Sequence, residues 1–524
     1  MKKLHLKNIL SLGIIIALSS CSQLDINENP NAATEATITP DLVLTQAIAA
    51  TASNIVSYHS YGAFLVGYQL PGGGIGGYGD TYTYNITSNT NVGLWNNVFN
   101  NLRDYQFIIN YTQKSPEYKF FGDIARIFKV FNYQLLVDAY GDVPYTEALQ
   151  GDNNLAPKFD DDAVVYQALV TELDAVIADI KQYKGDLSYR SLTKKTDPVF
   201  AGNLDNWIKF ANNLKLRLLV RARGTSIDSF VQSAFSKFST DGFLIDDVLV
   251  DPGYQATATQ NPLFASFHSS TAGSISTAAN YYVPSKYLFT FYDGRKITDE
   301  KRGKLTFRNF PNTSIGQLGD EVNNPNSDDY VWYVGTGSAD ALGVLKGRTA
   351  GLPIFLASET YFLLAEAALY GHELSGSAST NFEKGILASF TYLEKNATNA
   401  LAIGQVPATD AANYKTENST NYLVNYALAT TTAQRLEAII TQKYIALNFF
   451  HGHEAWNEFR RTGYPKIVNG SQVATETFAS VQSGSPRADK LPIRNLYPQT
   501  EINLNVNVPK LTNGFSDPIF WDIN

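Results

Sequence analysis

Aromatic rings set among amide, carboxylate and hydroxyl side chains are the groups in this 524-residue chain best suited to holding a ligand. Tyr78, Tyr82 and Tyr84 follow a glycine-dense stretch, Pro71 to Gly79. Farther on, Asn280-Tyr281-Tyr282, Tyr287, Phe291-Tyr292-Asp293 and Val331-Trp332-Tyr333 repeat the mixture. Flat rings stack on flat ligand faces while the polar neighbours exchange hydrogen bonds. Because the chain holds 31 Tyr and 30 Phe, most of its rings must be core, and only those in irregular segments compete for a binding role.

Other chemistries fit less well. Gly72, Gly74 and Gly77 satisfy G-x-G-x-x-G, but the following Tyr78-Gly79-Asp80-Thr81-Tyr82 does not read as a helix start and no acid lies about twenty residues on, so a pyrophosphate cradle is not expected. The glycines permit an unusual loop path; Tyr78, Tyr82 and Tyr84 either present rings from it or pack inward from a strand edge. His451, His453 and Glu454 offer metal-ligand types, yet residues two apart on a helix point about 200° apart, and a polar helix junction is expected without metal. Arg217 and Arg221 share a face, and with Arg460 and Arg461 are expected to pair with acids on neighbouring helices. There is no G-x-S-x-G, and acids such as Asp138, Asp142 and Glu147 are common, Asp138 and Asp142 sitting at a helix exit, which favours structure over catalysis. Neither an enzyme nor a cofactor is expected.

The lone cysteine, Cys21, ends Leu18-Ser19-Ser20-Cys21 after a basic head (Lys2, Lys3, Lys7) and an apolar run from Ile9 to Leu18. A run of about ten residues is too short to span a bilayer and reads as the apolar part of a signal peptide, 1–20. A cysteine at the first mature position resembles a bacterial lipobox and predicts lipidation at Cys21; the alternative is a core cysteine. Acyl chains bury about 0.8 kcal/mol per methylene, so they would hold a soluble domain on a membrane. Residues 21–40 read as a tether. Cleavage leaves 504 residues with 38 Lys+Arg against 49 Asp+Glu, and this acidic balance argues against nucleic acid.

Helices come in pairs. Val92 to Tyr111 precedes Phe121 to Ala139, whose Phe121, Ile124, Phe128, Phe131 and Leu135 share a face before Gly141 and Pro144 stop it. Asp160-Asp161-Asp162 caps a run through Val165, Leu169, Leu173, Val176 and Ile180, partnered by Asn203 to Arg223. Phe355 to Tyr370 with Thr380 to Leu393, and Thr432 to Phe450 with His453 to Arg461, make two more. The expectation is a mainly α fold of four tetratricopeptide-like helical hairpins in a single domain, 41–524, carrying a loop-rich insertion at about 230–351. Trp95, Trp207, Trp456 and Trp521 fall at scaffold or tail positions and are expected to be core.

Several ordered motifs resemble the SusD/RagB family of surface lipoproteins of Bacteroidetes, in its SusD-like branch. They are Leu24-Asp25-Ile26-Asn27-Glu28-Asn29-Pro30-Asn31, Val137-Asp138-Ala139-Tyr140-Gly141-Asp142-Val143-Pro144-Tyr145, Asn206-Trp207 through Arg217, Gln442-Lys443-Tyr444, Ala455-Trp456-Asn457-Glu458-Phe459-Arg460-Arg461 and Leu491-Pro492-Ile493-Arg494-Asn495-Leu496-Tyr497-Pro498. The resemblance implies helical hairpins supporting a variable binding half, an outer-membrane location, a glycan ligand and a SusC-like TonB-dependent transporter as partner. Pyranose C–H faces pack on aromatic rings, so Trp332, Tyr333, Tyr78, Tyr82, Tyr84, Tyr281, Tyr282 and Tyr287 are the expected ligand contacts, with Trp332 foremost. The rivals are a RagB-like peptide binder of the same fold, a surface glycoside hydrolase, and a transporter lid with little affinity of its own.

Overall fold

The computed structural model describes residues 38–238, 240–326, 331–336 and 341–522. The expected signal peptide, Cys21 and most of the tether lie outside them. No helix among the described residues is long and apolar enough to cross a membrane.

The fold is mainly helical. Helix Pro40–Leu65 leads, and Val92–Lys114 packs against Lys119–Tyr140 as a first hairpin. The second joins Asp162–Tyr183 to Leu204–Ala222, and the third joins Ala357–Leu369 to Ala378–Glu394. Their ends follow local chemistry. Asp161 Oδ1 accepts from the backbone N–H groups of Ala163 and Val164, both at 3.1 Å, satisfying donors that the first helical turn leaves unpaired. Gly141, at φ +76°, closes the first hairpin in a conformation that L side chains rarely adopt.

The fourth pair, Thr432–Leu447 and Gly452–Thr462, is continuous in sequence, but its members find other main partners. Thr432–Leu447 lies on Ala357–Leu369, and Gly452–Thr462 lies on Pro40–Leu65. Two glycines permit the second crossing: a Cβ on Gly62 would run into the Gly452 backbone, and one on Gly452 into the backbone of His59 and Ala63. The leading helix is thereby part of the scaffold and anchors its far end.

Buried charge ties the hairpins together. Arg217 pairs with Glu359 through two 3.0 Å hydrogen bonds, Arg221 bridges Asp138 and Glu454, Lys443 reaches Glu458 at 2.9 Å, and Arg461 joins Glu366 to Glu458. Burial lifts the Asp138 carboxyl even beside Arg221. For Glu454 burial acts the same way but is outweighed by Arg217 and Arg221, which hold it well below the usual range. The tail closes over this centre, Trp521 donating from Nε1 to Asp138 Oδ1 at 3.1 Å. Trp95, Trp207, Trp456 and Trp521 are all buried, as expected.

The segment between the second and third hairpins is less irregular than its composition suggests. It contains short helices at Asp228–Phe235, Pro262–Phe267, Thr277–Tyr281, Lys286–Phe289 and Glu300–Thr306. None is long enough to show a hydrophobic period. Two small antiparallel pairs pin it: Val248–Val250 on Leu352–Phe355, and Leu70–Pro71 on Tyr282–Val283.

Candidate functional site

The second of those pairs builds the site. Leu70 stands opposite Val283 and Pro71 opposite Tyr282, so the glycine stretch leaves the scaffold already paired to the insertion. Gly72 N–H donates to the Tyr281 carbonyl at 2.6 Å and Gly73 N–H to that of Pro325 at 2.8 Å. A Cβ on Gly73 would overlap the Asn324 carbonyl oxygen, and Gly74 and Gly77 hold φ of +72° and +94°. These glycines are thus used for close backbone approach and left-handed turns. Asn324 locks the junction: its side-chain oxygen accepts from Gln317 N–H at 2.8 Å, and its amide donates to the carbonyls of Gln317 at 2.9 Å and Pro71 at 3.3 Å.

The chain then forms a single-turn helix, Gly79–Thr83, where the sequence suggests none. Tyr84 follows at φ +53° and stops it. One turn too short for periodicity is set by its neighbours, since Gly484 N–H binds the Thr83 carbonyl and Ser480 N–H donates to the Tyr84 hydroxyl at 3.1 Å.

Through this junction two segments about two hundred residues apart present one group of rings. Tyr78 and Tyr282 meet edge to face, centroids 6.1 Å apart at 76°, with hydroxyls 3.2 Å apart. Phe64, from the end of the leading helix, lies 5.0 Å from Tyr282 and 6.5 Å from Tyr78. Tyr82 closes the base at 6.3 Å from Tyr78. Phe64, Tyr78 and Tyr282 are half-buried, and Tyr281 is 39% exposed. Burial and the hydrogen bond with Tyr78 raise the Tyr282 hydroxyl, while burial, Glu321 and Tyr78 push Tyr82 up to about 12, so both stay neutral donors. Asp80 and Asn326 stand exposed nearby, Asn326 Oδ1 lying within van der Waals reach of a Cβ on Gly74. The result is an open patch with ring faces, neutral hydroxyls and acceptors.

Other expected contacts are placed differently. Trp332 is 1% exposed, between Phe307 at 5.8 Å and Phe449 at 5.0 Å, and bridged to Phe307 by backbone pairing. A side chain so enclosed has no face for a sugar, which corrects the expectation that put it foremost. Tyr287 is fully buried and donates to the Lys466 carbonyl at 2.8 Å; Tyr84 and Tyr82 are also buried, so these three support the patch from beneath or serve the core. Tyr333 is half-buried against Gly343, with no ring contact to the Tyr78–Tyr282 group among the described residues. Sequence reasoning missed Phe64, whose place at the end of a long apolar helix just before the glycine stretch was the available signal.

The histidines form a junction. His451 Nε2 lies 3.0 Å from the Pro353 carbonyl, which can only accept, so Nε2 carries the proton. His59 Nδ1 accepts from Gly452 N–H, and burial, then His451, bring its pKa down to about 3. Among the described residues, the carboxylates that come close enough to share an ion are Asp142, Asp161 and Asp162, within 4.8 Å of one another. Each already accepts backbone N–H bonds, from Asp162, from Ala163 and Val164, and from Phe520. A cavity of about 650 Å³ lies between helix Val92–Lys114 and the loop at 144–157, lined by Trp95, Phe99 and Arg103 and by none of the patch rings.

The SusD-like family model, described as starch-binding and associating with the outer membrane, matches residues 30–498. A chitin-binding SusD homolog from Flavobacterium johnsoniae superposes at a TM-score of 0.69 with 22% identity, covering 92% of this chain and 99% of that one. A SusD homolog from Bacteroides uniformis gives 0.64 and 22% over 92% and 99%. A SusD/RagB family protein from Bacteroides thetaiotaomicron gives 0.65 and 19% over 93% and 99%. No curated protein matches the chain.

Proposed function

The chain belongs to the SusD-like family, and from that premise we propose that it is a non-catalytic, lipid-anchored surface protein that captures a glycan and hands it to a TonB-dependent outer-membrane transporter. The observation that carries this reading is the meeting of the glycine stretch and residues 281–282 in one half-exposed ring patch. Phe64, Tyr78, Tyr281 and Tyr282 supply the faces that pyranose rings pack on, and the Tyr hydroxyls, Asp80 and Asn326 supply partners for sugar hydroxyls. An open patch admits a length of polymer, where a closed cavity would admit a single residue of it. A relative described as chitin-binding makes a polysaccharide the natural first probe. Attachment through Cys21 places the patch at the membrane that holds the transporter.

The test is affinity electrophoresis through gels containing starch, soluble chitin derivatives and other polysaccharides, with each polymer recovered and sized afterwards. Retardation by at least one polymer, left uncut, is the expected result. Shortened polymer would identify a hydrolase, and binding of peptides alone would favour the RagB-like alternative. Replacing Cys21 by Ala should move the protein from the membrane to the soluble fraction.

A further inference from the structure

A second cavity, about 320 Å³, lies between helix Thr432–Leu447 and the loop at 465–476, lined by Lys296, Glu437, Glu476, Phe291, Leu423 and Ile467 among others. The Lys296 ammonium rests over the rings of Tyr287 at 3.8 Å and Phe291 at 4.9 Å. Among the described residues it donates no hydrogen bond and meets no carboxylate within 4.0 Å. Across the cavity Glu437 is only 8% exposed, holds one hydrogen bond from the Tyr422 hydroxyl at 2.8 Å, and has no cation within 4.0 Å. Glu476 is exposed and takes one from Ser471 at 2.6 Å. Burial lowers Lys296 to about 8, with Glu437 and Glu476 opposing the fall from a distance.

At the charged centre of the scaffold buried charge is resolved by direct contact, as between Arg217 and Glu359. Here Lys296, Glu437 and Glu476 line one space without pairing, and Phe291, Leu423, Ile467 and the exposed Lys466 complete its wall. A buried carboxylate without a counter-ion, as at Glu437, is costly, so the arrangement is complementary to a molecule that brings a cation to Glu437 and an acceptor to the half-buried Lys296. Its volume falls at the small end of ligand pockets, roughly 300–1,000 Å³.

We propose that this cavity is a second binding site, for a small molecule carrying a primary ammonium beside an oxygen acceptor, the chemistry shared by α-amino acids and 2-amino sugars. The ammonium goes to Glu437 and Glu476, the oxygen accepts from Lys296, and the apolar part lies on Phe291, Leu423 and Ile467. The site is independent of the ring patch and stands whether or not that patch binds glycan.

Calorimetric titration of the purified protein with L-leucine and with glucosamine tests it, N-acetyl-L-leucine and N-acetylglucosamine serving as partners that lack the ammonium. Binding of leucine alone identifies the amino-acid source, and of glucosamine alone the amino-sugar source. In either case N-acetylation should weaken binding at least tenfold, and so should Glu437→Gln or Lys296→Met. Glu476→Gln, at an exposed position, keeps the test intact if a buried variant fails to fold, and should also weaken binding. No heat with either amine at millimolar concentration, or equal affinity for an amine and its N-acetyl form, overturns the proposal.

Discussion

The charged centre of the scaffold and the ring patch are both assembled from distant segments, but they complete themselves differently. At the centre Arg217, Arg221, Glu359, Glu454, Glu458 and Lys443 are buried and answer one another. At the patch Phe64, Tyr78 and Tyr282 lean on one another and on Tyr82 yet keep ring area in solvent, with Tyr281 exposed beside Tyr282 in the chain. Polar groups that fix a framework must be satisfied within the protein, whereas groups that hold a ligand must keep unfilled contacts. Damage to the first should therefore read as stability, and damage to the second as affinity.

The largest effect is expected from Arg221→Ala, which leaves Asp138 and Glu454 buried without their shared cation. Breaking such a pair costs about 3–5 kcal/mol. Denaturant unfolding should show that loss while the folded fraction keeps its ligand affinity. Trp332→Ala should cost about 3–5 kcal/mol for a fully buried indole, again with affinity unchanged. An affinity loss larger than the stability loss would return Trp332 to the binding surface. Asp161→Ala removes a cap from two backbone donors and should cost about 1 kcal/mol, visible as a lower melting temperature.

A further effect depends on pH. The Glu394 carboxyl is fully buried, and burial lifts its pKa to about 7, Lys301 opposing and Asp410 adding through its charge and a hydrogen bond. A folded-state value above the unfolded one means the stabilising contribution is complete below the ordinary carboxylate range and is lost as pH rises through about 7. Glu394→Gln should match the parent's melting temperature near pH 4 and exceed it at pH 8 to 9, in melts recorded across that range.

The same contrast explains what the sequence disclosed. Long amphipathic helices with Asp161 and Gly141 at their ends were legible, because period and capping are local signals. The paired roles of Arg217, Arg221 and Arg461 were legible too, since buried arginines need acids. The motifs Val137 through Tyr145 and Ala455 through Arg461 carried the family. The crossing of Gly452–Thr462 on Pro40–Leu65 was not legible, because two glycines meeting across about 390 residues leave no periodic trace. At the site, composition marked the right segments but could not separate Tyr282 from Trp332, since exposure is decided by what packs above each ring. Tyr282 stays at the surface in its two-residue pairing with Leu70–Pro71 and Tyr78 leans on it edge to face, whereas Phe307 and Phe449 close over Trp332.

The central claim, that the ring patch rather than the buried tryptophan binds glycan, is tested by calorimetric titration of one polysaccharide that retards the parent protein. The parent would be compared with Tyr78→Ala/Tyr282→Ala and Trp332→Phe, each first shown to be folded by its melting curve. The account predicts at least a tenfold affinity loss, about 1.4 kcal/mol, in the double variant and parent-like affinity in Trp332→Phe. Parent-like affinity in the double variant, with a loss confined to Trp332→Phe, would contradict it.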